Sequence, residues 1–230
     1  MLLALMSLNF SAGSYIIYNL GYLLQPSKSY LCLDRGSSTY FVCSPEQSCL
    51  LPSKPNRQAE FFLEDWTTSM KLQCEPAWKT YALQSSYMFS YFIGYIFVYM
   101  PEKYGRRPSL IVFNFLTLVG IAMCIYVNIF WVKLAGMILM GVTHVKRTIS
   151  LILIFEFLPK SIRNFGTTTC GIVDSSTMLF TILYYKSGGV SVITIQSWAF
   201  GVSVLAWILT IVYIPESPTW LIYNNKHLRA

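Results

Sequence analysis

Charge is scarce in this chain. Asp, Glu, Lys and Arg supply 12% of its 230 residues, about half the roughly 25% usual in a soluble domain. There are two histidines and ten acids in the whole sequence. So few titratable groups leave little from which to build a catalytic constellation. No Walker loop, dinucleotide glycine pattern, zinc-protease helix or nucleophile elbow occurs either. Neither an enzyme nor a cofactor is expected. Cys-x2-Cys pairs, the usual zinc framework, are missing, and no metal is expected. What is abundant is apolar surface. Hydrophobic residues make up 54% of the chain, a share that would leave large exposed patches in water but suits helices facing lipid. The formal net charge is +7. Its cations collect in short stretches between long apolar runs, whereas a nucleic-acid binder presents a basic face. The expected surroundings are a lipid bilayer, with no nucleic acid.

A helix needs roughly 20 mostly apolar residues to cross the hydrocarbon core. Six segments reach or approach that length: 1–24, 80–100, 110–130, 132–157, 167–185 and 198–214. The first has no basic stretch before it and no small-residue cleavage site, so it reads as an anchor rather than a signal peptide. Cations then set the orientation. Lys103, Arg106 and Arg107 follow the second segment, Lys160 and Arg163 follow the fourth, and Lys226 and Arg229 lie in the tail 215–230. The links on the opposite side hold only Lys133 and Lys186. The basic side is expected to be cytoplasmic, with both termini inside and the long segment 25–79 outside.

That outer segment contains Cys32, Cys43, Cys49 and Cys74. An even set in a polar loop on the oxidising side predicts two disulfides, and three pairings are open. Cys124 and Cys170 fall within apolar helices and read as small apolar residues. The one glycosylation sequon, Asn9-Phe10-Ser11, lies inside the first segment, beyond the reach of a glycan.

Charge at mid-bilayer is costly and marks a pathway or a buried pair. His144, Lys146, Arg147 and Glu156 lie in the fourth segment and Asp174 in the fifth. Counting about 1.5 Å per residue puts Arg147 and Asp174 both roughly 13–17 Å deep, where they can meet if the helices are neighbours. His144 and Arg147 share a helical face, and Lys146 points elsewhere and needs another partner. The cluster can line a substrate path or simply pin two helices together, and both roles are open. Trp131, Trp198 and Trp220 suit interface belts. Tyr15, Tyr18, Tyr87, Tyr91 and Tyr95 lie deeper; the last three are four residues apart, on one helix face. Such a stripe is more often packing than a ligand surface.

Three stretches carry a resemblance. Pro101-Glu102-Lys103-Tyr104-Gly105-Arg106-Arg107-Pro108 resembles the G-x-x-x-D-R-x-G-R-R/K signature loop of the major facilitator superfamily, with Val98 where the pattern opens on glycine and Gly94 one turn earlier. Glu156-Phe157-Leu158-Pro159-Lys160-Ser161-Ile162-Arg163 is similar to the E-F-x-P-x-x-x-R stretch that closes the family's fourth helix. Pro215-Glu216-Ser217-Pro218-Thr219-Trp220-Leu221 is similar to P-E-S-P-R-W-L, with Thr219 in place of arginine. The long cysteine-bearing loop after the first helix resembles that of organic cation, carnitine and anion transporters. The fold this implies is an all-α membrane protein of six transmembrane helices, the amino-terminal bundle of a major facilitator carrier, with an extracytoplasmic loop domain.

By that resemblance the function is rocker-switch transport of small organic ions. The partners are the solute and a second six-helix half, from the same gene or a separate chain, and the location is the plasma membrane. Glu102, Lys103, Gly105, Arg106, Arg107, Glu156, Arg163 and Glu216 would form a cytoplasmic gating network, which has the plain alternative of a positive-inside anchor. Tyr15, Tyr91, His144, Lys146, Arg147 and Asp174 would face the substrate cavity. The competing readings are a non-transporting structural membrane subunit and a fragment of a sugar-type carrier.

Overall fold

A computed structural model describes residues 2–25, 30–33, 39–56, 64–188 and 191–224. In chain order the helices are α1 (Leu2–Ser11), α2 (Ser14–Tyr18), α3 (Leu20–Leu23), α4 (Trp66–Met70), α5 (Ala77–Gly94), α6 (Met100–Tyr104), α7 (Arg106–Tyr126), α8 (Phe130–Val142), α9 (Val145–Phe157), α10 (Arg163–Lys186), α11 (Val192–Tyr213) and α12 (Pro218–Tyr223). Apolar runs become helices here because a helix satisfies its own backbone groups where no water can. Among the described residues, three stretches are long and apolar enough to cross a membrane: α7, α8 joined to α9, and α11.

Two of the runs that read as single helices, 1–24 and 132–157, are broken at turns, and 80–100 passes through a 3-10 stretch (Tyr95–Tyr99) between α5 and α6. The first divides at Gly13 and again at Asn19. Gly13 has φ of 90°, and a Cβ there would stand 2.9 Å from Thr117 Cγ2, so the turn needs glycine twice over. Asn19 donates its side-chain amide to Tyr15 O at 2.7 Å, competing with the backbone ladder. The second break is at Thr143 and His144, between α8 and α9, where the Thr117 hydroxyl donates to that of Thr143 at 2.9 Å. Helices α5, α10 and α11 begin three to six residues before the expected segments, in α5 and α10 because Lys79 and Arg163 in the first turn lower the hydropathy there.

Close helix contact is made by small residues, as in membrane bundles generally. A Cβ on Gly94 would lie 2.6 Å from Val142 O, and one on Gly141 would lie 2.5 Å from Tyr87 O. Thus Gly94, and not the half-buried Val98, is where α5 and α8 meet. A polar knot fastens the other side. Asn9 Oδ1 accepts from Asn114 Nδ2 at 2.7 Å and from Thr210 Oγ1 at 2.9 Å, tying α1 to α7 and α11. All three side chains are buried, which also seals the Asn9 sequon away. Asn9→Ala is expected to cost about 1–2 kcal/mol, since each interhelical bond contributes about 0.6 and the Asn114 amide is stranded, whereas the Thr210 hydroxyl keeps Ala206 O. Reversible unfolding in detergent measures it, and an unchanged midpoint would reduce the knot to passive packing.

The loop between α3 and α5 contains a feature that hydropathy does not show, a three-stranded antiparallel sheet. Its strands are β1 (Tyr30–Leu33), β2 (Tyr40–Cys43) and β3 (Ser53–Pro55), in the order β2-β1-β3. Disulfides join Cys32 to Cys43, across the β1–β2 pair, and Cys49 to Cys74. Cys124 and Cys170 are free and buried. The loop is docked on the bundle through Trp66, which is buried and whose ring lies 4.6 Å from Lys133 Nζ. That lysine, at the start of α8, also donates to Cys124 O.

Asp65 caps α4. Its carboxylate accepts the Thr68 N–H at 2.8 Å, and the Thr68 hydroxyl accepts the Asp65 N–H at 3.1 Å. Burial pushes the Asp65 carboxyl up from 3.8 to about 7, against the lowering effect of these bonds. An acid with a raised folded-state pKa is favoured in its protonated form. Its contribution to stability is therefore fully present below about pH 4 and is lost as pH rises towards 7. The disulfide-intact protein is expected to melt at a higher temperature at pH 5 than at pH 8, and Asp65→Asn to flatten that difference.

Candidate functional site

Two charge clusters stand out, one at a helix end and one deep in the bundle. At the helix end, Gly105 closes α6 and opens α7 with φ of 105°. A Cβ there would come 2.7 Å from Glu216 Oε2, so the carboxylate fits only because the residue is glycine. Glu216 Oε1 accepts three backbone N–H groups, from Arg106 at 2.9 Å, Arg107 at 3.1 Å and Ser217 at 3.0 Å. A carboxylate on the first amides of a 21-residue helix satisfies orphan donors and meets the positive end of the dipole. Arg106 makes an ion pair with Glu156, and Glu156 Oε2 also accepts the Ser217 hydroxyl at 2.5 Å. Arg107 Nη2 donates to Ile211 O at 2.7 Å. The start of α7, the end of α9 and the segment after α11 are thereby locked together.

Gly105, Arg106, Arg107, Glu156 and Glu216 thus converge. Glu102 joins through its carbonyl, which accepts Trp220 Nε1 at 2.9 Å, and through its charge, which acts on Arg106. Lys103 lies instead over the Tyr104 ring, and Arg163 donates to Leu158 O. Sequence reasoning missed Ser217, which caps α12 by accepting the Trp220 N–H at 3.0 Å while holding Glu156. The signal was present, since serine followed by proline marks a helix start.

In the deep cluster, Arg147 makes an ion pair with the buried Asp174, joining α9 to α10. Tyr18 adds a third element by donating its hydroxyl to the same carboxylate oxygen at 2.5 Å. The guanidinium also lies 4.3 Å from the centre of the Phe10 ring and 3.3 Å from His144 Nε2. His144 is ringed by Tyr91 and Tyr87, with centroids 4.5 and 6.0 Å away. The hydroxyls of Tyr91 and Tyr95 lie 2.5 Å apart. Tyr15 is not part of this group. It is buried in the apolar core and lines a slot of about 530 Å³ with Phe180, Trp198 and Val202. Lys146 is buried without a hydrogen-bond partner among the described residues. Those residues include no group of three or more histidine, cysteine or acidic side chains able to hold a metal.

The family model "Sugar (and other) transporter" matches residues 50–230. Solute carrier family 22 member 2 of Oryctolagus cuniculus is 28% identical over 169 residues, which is 71% of this chain and 29% of that protein. Its Homo sapiens counterpart is 29% identical over 170 residues, again 71% of this chain and 29% of the relative. Monosaccharide-sensing protein 2 of Arabidopsis thaliana is 31% identical over 133 residues, 55% of this chain and 18% of the relative. Among solved structures, the inward-open xylose transporter XylE of E. coli superposes with a TM-score of 0.57 at 14% identity, covering 97% of this chain and 49% of that one. The chain therefore matches under a third of the length of these curated relatives and about half of the solved transporter.

Proposed function

This chain belongs to the sugar (and other) transporter family, and from that premise we propose that it is one six-helix half of a carrier for small organic ions. The observation that carries this reading is the deep cluster of His144, Arg147 and Asp174 with Tyr18 and Tyr91. Ionisable side chains are kept within apolar helices where they meet a solute or an ion path. The family is one of carriers, so transport rather than catalysis is the role proposed. The resemblance of the long cysteine-bearing loop to that of organic cation, carnitine and anion transporters favours an organic ion over a sugar. The six crossings would be α1 to α3, α5 to α6, α7, α8 with α9, α10, and α11. In α10, the Asp174, serine and threonine positions lower the hydropathy that a lipid-facing helix would show. The two disulfides favour an extracytoplasmic loop. The basic residues around the Gly105 turn favour cytoplasmic termini, and the plasma membrane fits both.

On this reading the Glu216–Arg106–Glu156 cluster is a latch between helix ends and the deep cluster faces the solute. A second six-helix half would complete the midplane site. Reconstitution tests the proposal. Chain in liposomes, alone and together with a complementary half, is expected to take up labelled organic ions above empty vesicles in the paired sample. Equal counts in all three would favour a structural subunit.

A further inference from the structure

Lys146 stands at the first turn of α9, 97% buried by its 3% exposure, with Nζ free of any hydrogen bond among the described residues. The charge that acts on it is Arg147, of the same sign. The carboxylate of Asp174 is already held by Arg147 and Tyr18. An ammonium in this position has given up its hydration without gaining a counter-charge, which is costly in a low-dielectric interior. It faces a blind pocket where helix one breaks: Nζ lies 3.8 Å from where a Gly13 Cβ would be. Gly13, Ser14, Thr117, His144 and Arg147 share the lining, and the space admits the centre of one water-sized group, about 10 Å³. With no side chain on Gly13, the break leaves this space open beside the ammonium.

We propose that this pocket is an anion subsite in which Lys146 binds a single small anionic group, either a free halide or one oxygen of a solute carboxylate. Two cations against one committed carboxylate leave the local charge at +1, so an anion removes the imbalance. The Ser14 hydroxyl lines the same space and is chemically suited to donate to it, whereas the Thr117 proton is already given to Phe113 O or Thr143. The inference concerns binding and goes beyond the transport reading, so a chain that moves no solute can still satisfy it.

The test uses the whole chain in lipid nanodiscs, with bromide compared to gluconate at equal ionic strength. Gluconate is too large to enter. A Tm higher by about 2–4 °C in bromide is expected, the shift of a ligand held above its Kd in a chain of this size. Lys146→Met, which keeps the stem and removes the charge, is expected to abolish the gap. Equal melting of the wild type in both salts, or a gap that survives in Lys146→Met, would overturn the proposal. If that variant does not fold, bromide anomalous scattering from the wild type decides: a peak in contact with Nζ supports the site, and an empty pocket at saturating bromide refutes it. Displacement of bromide by a small monocarboxylate would identify the solute as the source of the group. Retention of bromide would assign the site to free halide, and either result supports the subsite.

Discussion

Asp174→Ala is expected to destabilise the protein by about 3–5 kcal/mol, the cost of leaving a buried charge without its partner. The carboxylate accepts from Arg147 and from the Tyr18 hydroxyl on a single oxygen, deep between α9, α10 and the first helical run. Removing it leaves the Arg147 guanidinium without its counter-charge, beside such contacts as His144 at 3.3 Å. Arg147→Ala is expected to cost less, about 1–3 kcal/mol, because the surviving carboxylate still accepts the Tyr18 hydroxyl. The double variant then lies closer to wild type than the sum of the singles, with a coupling of at least about 1 kcal/mol. Unfolding midpoints of the four proteins in one detergent give the cycle directly. Strict additivity would show that the two residues do not act as a pair. Tyr18→Phe should cost least, about 1 kcal/mol, since it removes one donor and leaves the ion pair.

The two ends of this pair were legible in the sequence for a simple reason. Helical rise converts residue number to depth, and equal depth on consecutive helices lets two side chains meet. Tyr18 was not legible, because it lies 156 residues from Asp174 and its direction depends on the breaks at Gly13 and Asn19. A helical wheel drawn through an unbroken first helix carries a wrong phase from the first break onward. Similarly, the face shared by His144 and Arg147 spans a break that hydropathy ignores, since Thr143 and His144 interrupt the run without lowering its apolar character much. The loop shows the opposite limit. Four cysteines announced two disulfides, but the pairing of Cys32 with Cys43 follows from a strand register that the spacings do not contain. Lys133 was visible only as a link charge, whereas its burial beneath Trp66 is a tertiary contact.

Substitution at Glu216 separates a latch from a plain positive-inside anchor. Glu216→Ala removes the acceptor for the N–H groups of Arg106, Arg107 and Ser217. Water reaches part of this end, so the expected loss is about 2–3 kcal/mol rather than the full sum of three stranded donors. Glu216→Gln keeps a carbonyl oxygen for the same amides and loses only the charge facing the α7 dipole, about 0.3–1 kcal/mol and less in high salt. The order Ala, then Gln, then wild type is therefore the expected ranking in unfolding midpoint, and equal effects of the two would place Glu216 outside the network. The arginine side gives the matching contrast. Arg106→Lys keeps the positive charge that orients a membrane helix but replaces the guanidinium paired with Glu156. A topology anchor would tolerate that change. A latch would not: losing the tie between α7 and α9 frees the helix ends that a rocking half must hold in one of its two states. Accessibility of single cysteines placed on α10 to a water-soluble thiol reagent reads that equilibrium. Arg106→Lys is expected to shift labelling by several-fold in the same direction as Glu216→Ala. Labelling equal to wild type in Arg106→Lys would leave the Gly105 turn as an orienting device only.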